Sequence, residues 1–246
     1  MNTTMKKAII IGATSGIGYE VTQLLLKKDW ILGIAGRREN ILKEIQKQAP
    51  DRIKTAAIDI CSADAPERLR HLIEAIGGMD IYLHCAGIGH QNMKVDTQIE
   101  LQTLNTNCIG FTRMITHAFH YFQQHGTGHI AIISSIAGTK GLGCAPAYSA
   151  SKRFQNTYLD AMEQLSYMHH LKIHFTDIRP GFVATDLLND GKHYPMLMKP
   201  EKVATCIVQA LEKKKRLVII DKRYQLLVFL WRLIPACLWK RLPIKN

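Results

Sequence analysis

Apolar residues in this chain gather in short runs, and longer amphipathic stretches separate the runs. Ala8 to Ile11 and Ile31 to Ala35 are two such runs, each shorter than a typical helix and free of charged residues. A continuous apolar run of this length is typical of a strand whose two faces are both covered. The alternation predicts an α/β fold, a doubly wound parallel sheet of about seven strands with helices on both faces. The predicted strands lie near 6–12, 31–35, 53–58, 80–84, 128–134, 172–178 and 216–220, and the predicted helices near 16–28, 39–49, 64–76, 98–124, 147–169 and 200–214.

Length and composition fit one folded domain. The chain has 246 residues, 47% of them hydrophobic and 21% charged, which is enough to bury a full core. We assign residues 1–221 to this domain and residues 222–246 to a C-terminal tail. Residues 1–5 are few and mostly polar, so we expect no secretory signal and a cytoplasmic location. The six cysteines are scattered and the eleven histidines show no metal-ligand spacing, so we predict neither a disulfide framework nor a metal site.

The first predicted strand leads directly into a glycine-rich turn that precedes the first predicted helix. Glycines let the backbone approach a pyrophosphate closely, and a helix N-terminus offers unpaired N–H groups and a favourable dipole. Glycines also close ordinary strand-to-helix connections, but a position in the first βαβ unit favours a dinucleotide site. The residues expected to hold the cofactor here are Gly12, Thr14, Ser15, Gly16, Ile17 and Gly18.

Two arginines, Arg37 and Arg38, follow the second predicted strand. At this place a carboxylate binds the ribose 2′-hydroxyl of NAD, whereas an arginine suits the 2′-phosphate of NADP. The first acid after the strand is Glu39. We therefore predict a preference for NADP(H) over NAD(H). The alternative is that the arginines only begin a solvated helix.

A proton-transfer site is indicated by Ser135, Tyr148 and Lys152. Tyr148 and Lys152 stand four residues apart, so on a helix they share one face. A free phenol has a pKa near ~10, and a lysine ammonium beside it lowers that pKa by favouring the phenolate. Ser135 follows an apolar run, where a parallel strand ends and α/β sheets bind their ligands. Taken alone, a tyrosine and a lysine at this spacing also occur by chance on amphipathic helices.

In combination these motifs resemble the short-chain dehydrogenase/reductase (SDR) family, which has a single-domain Rossmann fold. The similarity extends from Lys6 to about Thr185 and includes the Gly-x-x-x-Gly-x-Gly turn, the serine and the Tyr-x-x-x-Lys pair. One motif departs from the family's pattern, because His84-Cys85 stands where two asparagines are usual. Asn107 matches the family's fourth catalytic residue, and Asp59 and Ile60 match its adenine contacts. Ala86 and Gly87 match the residues that let the cofactor pass. The segment beside the nicotinamide carboxamide is matched by Pro180, Gly181, Val183 and Thr185.

The resemblance implies an enzyme that interconverts a ketone or aldehyde and an alcohol. Tyr148 would act as general acid or base at the substrate oxygen, and Ser135 would hydrogen-bond the same oxygen. Lys152 would lower the pKa of Tyr148 and bind the nicotinamide ribose. Asn107 would hold a water that connects Lys152 to solvent.

The partners expected from the resemblance are a small carbonyl or alcohol substrate and a second copy of the chain. Family members pair through the two long helices, here at 98–124 and 147–169, which implies a homodimer or homotetramer. Residues 182–198 correspond to the stretch that covers the substrate in the family. The apolar side chains of this stretch either favour an apolar, lipid-like substrate or pack against the following helix, and the sequence leaves both open.

The tail at 222–246 is basic and apolar. From Lys213 to Asn246 there are ten Lys or Arg and one acid. Arg232 and Pro235 interrupt its apolar run, which is too short to span a bilayer. Tryptophans among cations suit a membrane interface better than nucleic acid, so we expect no nucleic-acid partner. Peripheral membrane contact and packing on the domain or on another subunit are the two alternatives.

A non-catalytic alternative is an NADP(H) sensor or scaffold that attaches to a membrane or partner through its tail. A sensor needs only the glycine turn and an arginine. The presence of Asn107, Ser135, Tyr148 and Lys152 together favours the enzyme.

Overall fold

Seven parallel strands form one sheet in the computed structural model, which describes residues 5–188 and 191–244. The strand order is β3-β2-β1-β4-β5-β6-β7, so the direction of winding reverses between β1 and β4. The carboxyl ends of these strands border the crevice in which such sheets bind ligands. The strands are β1 (Lys7–Ile11), β2 (Ile31–Gly36), β3 (Ile53–Ala57), β4 (Ile81–His84), β5 (Thr127–Ile133), β6 (Lys172–Arg179) and β7 (Leu217–Ile219).

Helices cover both faces of the sheet, which confirms the predicted fold class. Successive residues of β1 contribute to two separate cores: Ile10 packs in one, and Ile9 and Ile11 in the other. Both faces of the strand are therefore buried, which explains the unbroken apolar runs. The helices are α1 (Gly16–Leu26), α2 (Glu39–Lys47), α3 (Ala65–Ala75), α4 (Thr97–Leu104), α5 (Phe111–His125), α6 (Pro146–Met168), α7 (Pro200–Glu212), α8 (Lys222–Leu233) and α9 (Ala236–Trp239).

The helix predicted as continuous over 98–124 is interrupted. A π-helical turn, Asn105–Gly110, separates α4 from α5. The side chain of Asn107 pairs with both backbone groups of Ile88, accepting from its N–H at 2.9 Å and donating to its carbonyl at 2.7 Å. This contact with a distant loop holds the turn, and the hydropathy pattern carries no sign of it. Such turns occur frequently at functional sites.

The tail folds back onto the domain through one side of α8. Tyr224 and Val228 are buried in the same core as α1 and α7. Lys140 donates to the carbonyl of Ile234, and the indole of Trp239 donates to the carbonyl of Gly141. Within the described residues, no helix is long and apolar enough to cross a membrane.

A buried carboxylate joins three elements beside the crevice. Asp177 on β6 is 0% exposed and accepts hydrogen bonds from Ser134, which follows β5, and from Asn156 on α6, the latter at 3.0 Å. The buried guanidinium of Arg179 donates to the same carboxylate at 2.8 and 2.6 Å. Because these contacts fix α6 against β5 and β6, they also fix the residues that α6 carries.

Removing this charge tests the contribution of the carboxylate to stability. Asp177→Asn keeps the shape of the side chain but leaves the buried Arg179 cation without a counter-charge, so we expect the free energy of unfolding to fall by about 3 kcal/mol or more. Urea denaturation followed by circular dichroism measures the change. Asp51→Asn on the surface is the control and should change the free energy by less than about 0.5 kcal/mol. Equal losses in the two variants would contradict the assignment.

Candidate active site

The glycine turn lies where β1 ends, against the segment that follows β4. Gly12 and Gly16 have φ values of 91° and 52°, which side chains disfavour. A Cβ atom on Gly12 would lie 2.7 Å from the nitrogen of Ala86, and one on Gly18 would lie 2.1 Å from the Gly12 carbonyl oxygen. Ser15 precedes α1 without a side-chain capping bond. The first N–H groups of α1 are therefore free to bind a phosphate, and the turn fits a dinucleotide.

Of the two arginines, Arg38 folds over this turn. Its guanidinium donates to the hydroxyl of Thr14 at 3.0 and 3.2 Å and lies 3.9 Å from the carboxylate of Asp186. Arg37 and Arg38 are both exposed, and Ile17 packs partly buried on the core. At the end of β2, Arg38 is therefore the arginine that contacts the glycine turn.

Asp59 and Ile60 follow β3 at the same edge of the sheet. Asp59 is exposed, and one carboxylate oxygen accepts from the N–H of Cys61 at 2.9 Å. Ile60 is 5% exposed, and its carbonyl accepts from Arg113 at 2.8 Å. Asp59 can therefore reach a ligand with its side chain, whereas the side chain of Ile60 packs in the core.

His84 and Cys85, the pair that departs from the family's pattern, are neutral. His84 is 1% exposed, and its Nδ1 atom lies 3.0 Å from the hydroxyl of Tyr82. Burial, with a smaller effect of the Lys152 charge, lowers the pKa of His84 to about 3. Burial raises the pKa of Cys85 to about 12. Among the described residues, His84 Nε2 has no hydrogen-bond partner.

Ala86 and Gly87 bring the cofactor crevice next to the proton-transfer residues. A Cβ atom on Gly87 would lie 3.2 Å from Asn107 Oδ1 and 3.5 Å from Lys152 Nζ. Because Gly87 has no side chain, this space beside Lys152 stays open. Cofactor and proton-transfer residues therefore share one crevice.

Ser135 and Tyr148 face each other across the crevice. Ser135 follows β5 and is 7% exposed, and its hydroxyl accepts from the N–H of Ala137 at 3.0 Å. Tyr148 lies in the first turn of α6 and is half-buried. Burial raises the pKa of Tyr148, contrary to the lowering expected from Lys152, and a hydrogen bond with Ser135 opposes that rise. Both side chains can therefore contact the same substrate oxygen.

The ammonium group of Lys152 is buried one turn further along α6. It donates to the carbonyl of Ile133 and to Gln155 Oε1, each at 3.0 Å, and lies 5.8 Å from the centre of the Tyr148 ring. Burial lowers the pKa of Lys152 to about 8, although the charge of Asp177 acts in the opposite direction. Lys152 is thus poised to change its charge near neutral pH.

Gln155 connects Lys152 directly to Asn107. It is 1% exposed, accepts from Lys152 through Oε1 and donates through Nε2 to the backbone carbonyl of Asn107 at 2.9 Å. This carbonyl lies in the π-helical turn. An amide side chain therefore bridges Lys152 and the backbone of Asn107, and the water expected between Lys152 and solvent stays a prediction. Gln155 belongs to none of the motifs that indicated the site, and its spacing of three from Lys152 is the available signal in the sequence.

The segment that follows β6 lies against the glycine turn. The carbonyl of Pro180 accepts from the N–H of Ile136, and Val183 pairs with Met198. The methyl group of Thr185 would be 2.9 Å from a Cβ atom on Gly16, which places Thr185 against the turn. A Cβ on Gly181 would lie 2.2 Å from the ring of Tyr224. The carboxamide segment predicted from sequence thus borders the crevice.

Most apolar residues between 182 and 198 pack inward. Residues 189 and 190 of this stretch lie outside the described residues. Phe182, Met196 and Met198 join the core that contains α7 and α8. Leu187 and Leu197 are 42% and 47% exposed. Phe182, Met196 and Met198 therefore pack against the domain, which is the second of the two alternatives left open by the sequence.

Gly89 is a second residue that the sequence analysis missed. A Cβ atom there would lie 2.6 Å from two carbons of the Tyr148 ring. The only sequence signal is a glycine shortly after β4. The position of the Tyr148 ring therefore depends on this glycine.

A sequence model of the short chain dehydrogenase family matches residues 6–194. Dehydrogenase/reductase SDR family member 7B from Xenopus tropicalis is 28% identical over 253 residues, covering 93% of this chain and 81% of the relative. Glycine betaine reductase ATRR from Emericella nidulans is 29% identical over 234 residues, which cover 87% of this chain but only 18% of the relative.

Two solved structures share the fold. The 3-ketoacyl-(acyl-carrier-protein) reductase from Brucella melitensis complexed with NADH has a TM-score of 0.77 and 20% identity, and the match covers 88% of this chain and 96% of that one. ElxO with NADP bound has a TM-score of 0.79 and 22% identity, with 90% and 99% covered. The sequence match spans most of the chain and the fold agrees, so this chain belongs to the short-chain dehydrogenase family of oxidoreductases, which use a nicotinamide cofactor.

Proposed function

We propose that this protein is an NADP(H)-dependent oxidoreductase that interconverts a ketone or aldehyde and an alcohol. The observation that carries the proposal is the crevice in which Ser135, Tyr148 and Lys152 lie beside Gly87 and the glycine turn. A bound nicotinamide supplies the hydride for the carbonyl carbon. The residues of the chain have to supply the proton and hold the substrate oxygen.

Tyr148 supplies the proton. In the reductive direction its hydroxyl donates to the substrate oxygen as negative charge develops there, and Ser135 donates a second hydrogen bond to the same oxygen. Burial raises the pKa of Tyr148, which keeps the phenol protonated before the reaction but makes it a weaker acid than a free phenol. The ammonium group of Lys152 then stabilises the phenolate that remains.

Gln155 keeps Lys152 in the position that this step requires. Its Oε1 atom accepts from the ammonium group, and its Nε2 atom is fixed by the Asn107 carbonyl. An acceptor favours the charged form of lysine. We assign Gln155 as a positioning residue and Asn107 as the support of Gln155.

The preference for NADP(H) rests on Arg38. Its guanidinium lies 3.0 Å from Thr14 of the glycine turn, where it can reach the 2′-phosphate. Two exposed leucines, Leu187 and Leu197, lie within the predicted substrate stretch and favour an apolar substrate. A ligand-binding sensor would not need the contacts among Tyr148, Ser135 and Lys152.

Replacing the proton donor tests the chemistry. Tyr148→Phe should lower turnover at least about 100-fold with an unchanged cofactor Kd, because only the proton-transferring hydroxyl is lost. NADPH oxidation with short ketones, 3-oxoacyl thioesters, steroids and long-chain ketones identifies a substrate, and fluorescence titration gives the Kd. Tyr158→Phe on the same helix is the matched control. Near-normal turnover in Tyr148→Phe would refute the role, and inactivity of the unaltered protein on every compound would favour the sensor.

Cofactor choice is tested at Arg38. Arg38→Gln should weaken NADPH binding about tenfold to 100-fold and leave NADH binding unchanged, because a charge-assisted hydrogen bond to the phosphate is lost. Arg37→Gln serves as the comparison and should have the smaller effect. A larger effect at Arg37 would reverse the assignment.

The charge of Lys152 predicts how cofactor binding depends on pH. Lys152 has a pKa lowered to about 8 and is charged below that value, so the affinity for NADPH should fall as pH rises through it. Gln155→Leu removes an acceptor of the charged form and should move the fall to lower pH, whereas Gln155→Glu should move it to higher pH. Fluorescence titration over a pH series measures all three proteins. Superimposable profiles would show that Gln155 does not act on Lys152.

A further inference from the structure

The outer face of α8 carries a continuous apolar stripe. Leu226, Phe229, Leu230 and Leu233 are 60%, 59%, 49% and 64% exposed, and their spacing places them on one side of the helix. We call these four residues the α8 stripe. Single exposed leucines are ordinary, but a contiguous exposed apolar face marks an interaction surface.

The stripe belongs to a well-anchored helix. The opposite side of α8 carries Tyr224 and Val228, which are 0% and 1% exposed. Tyr224 also donates to the carbonyls of Pro195 and Met196 at 3.0 and 3.2 Å. The stripe is therefore exposed on a helix already held by the fold.

The structure does not place the tryptophans of the tail at the exposed position that a membrane interface would require. Trp239 is 9% exposed, its indole donates to Gly141, and its ring packs edge-on against half-buried Trp231 at 5.3 Å. These rings hold α9 against α8 and Gly141. The exposed apolar residues are instead the α8 stripe, with Leu238 and Leu242 beyond the bend at Pro235.

Cations precede, interrupt and follow the stripe in the sequence. From residue 222 to residue 246 the sequence contains six Lys or Arg and no acid. The preceding acid, Asp221, is already paired with Arg223 at 2.8 Å. Among the described residues, the exposed cations of this region that are not paired with Asp221 in this way are Lys222, Arg232, Lys240 and Arg241.

We propose that α8 and α9 dock on an anionic lipid surface, with the α8 stripe among the acyl chains near the headgroups and the cations on lipid phosphates. An amphipathic helix with a basic rim binds in this way without spanning the bilayer. A second copy of the chain would bring the same cations to the same face, and the like charges would oppose pairing there. The proposal is independent of the proposed enzymatic function.

Docking would bring the bilayer close to the predicted substrate stretch. The Tyr224 hydroxyl accepts from the N–H of Phe182 at 3.1 Å and donates to Pro195 and Met196, so α8 is bonded near both ends of 182–198. A deletion of the tail would disturb this stretch as well as membrane binding. Point substitutions on the stripe separate the two effects.

Sedimentation with lipid vesicles tests the proposal on the full chain. We expect the protein to pellet with phosphatidylcholine vesicles that contain phosphatidylserine and to stay in the supernatant with phosphatidylcholine alone. Leu226→Ser, Phe229→Ser and Leu233→Ser combined should lower the bound fraction at least about tenfold. Tyr167→Ser with Met168→Ser, which replaces two exposed apolar residues at the end of α6, should bind as the unaltered protein does.

Circular dichroism and NADPH binding verify that each variant is folded. Equal binding by the stripe variant and the unaltered protein, or no binding of the unaltered protein to anionic vesicles, overturns the proposal. Light scattering adds a further test. If the unaltered protein is an oligomer that the stripe substitutions dissociate, the stripe is a contact between subunits and the lipid proposal is wrong.

Discussion

The buried ammonium group of Lys152 is the constraint around which the site is organised. A cation inside a protein costs free energy unless acceptors surround it. The Ile133 carbonyl and Gln155 supply those acceptors, and Asp177 supplies opposite charge in the vicinity. The same carboxylate holds α6 through Asn156. The ends of β5 and β6, α6 and the π-helical turn are therefore all linked to the charge of Lys152. The proposed chemistry depends on the packing of these elements.

Much of the fold could be predicted because burial on both faces leaves a simple pattern. Ala8 to Ile11 of β1 form an unbroken apolar run, since Ile9 and Ile10 enter different cores. The π-helical turn could not be predicted, because it depends on hydrogen bonds between Asn107 and Ile88, which are nineteen residues apart. Local periodicity describes which face is buried; it does not describe a side chain that pairs with a distant backbone.

The candidate site likewise contains residues that could be predicted from the sequence and residues that could not. Positions in motifs of fixed spacing, such as Tyr148 and Lys152, could be recognised from the sequence alone. Gln155 and Gly89 could not, because their importance comes from contacts made only in three dimensions. The tail shows a related limit of reasoning from composition. Composition revealed that the tail is apolar and basic, but only the folded helices show that Trp239 on α9 faces inward and Phe229 on α8 faces outward.

Tyr224 has a consequence for how members of this family are compared. The family match ends at residue 194, yet the hydroxyl of Tyr224 is bonded to Phe182, Pro195 and Met196. A residue outside the shared region therefore shapes a stretch that lies mostly within it. Under the proposal that this stretch covers the substrate, two relatives with identical motifs but different C-terminal segments would present differently shaped entrances, and we expect their substrate ranges to diverge without any change in the shared part of the sequence.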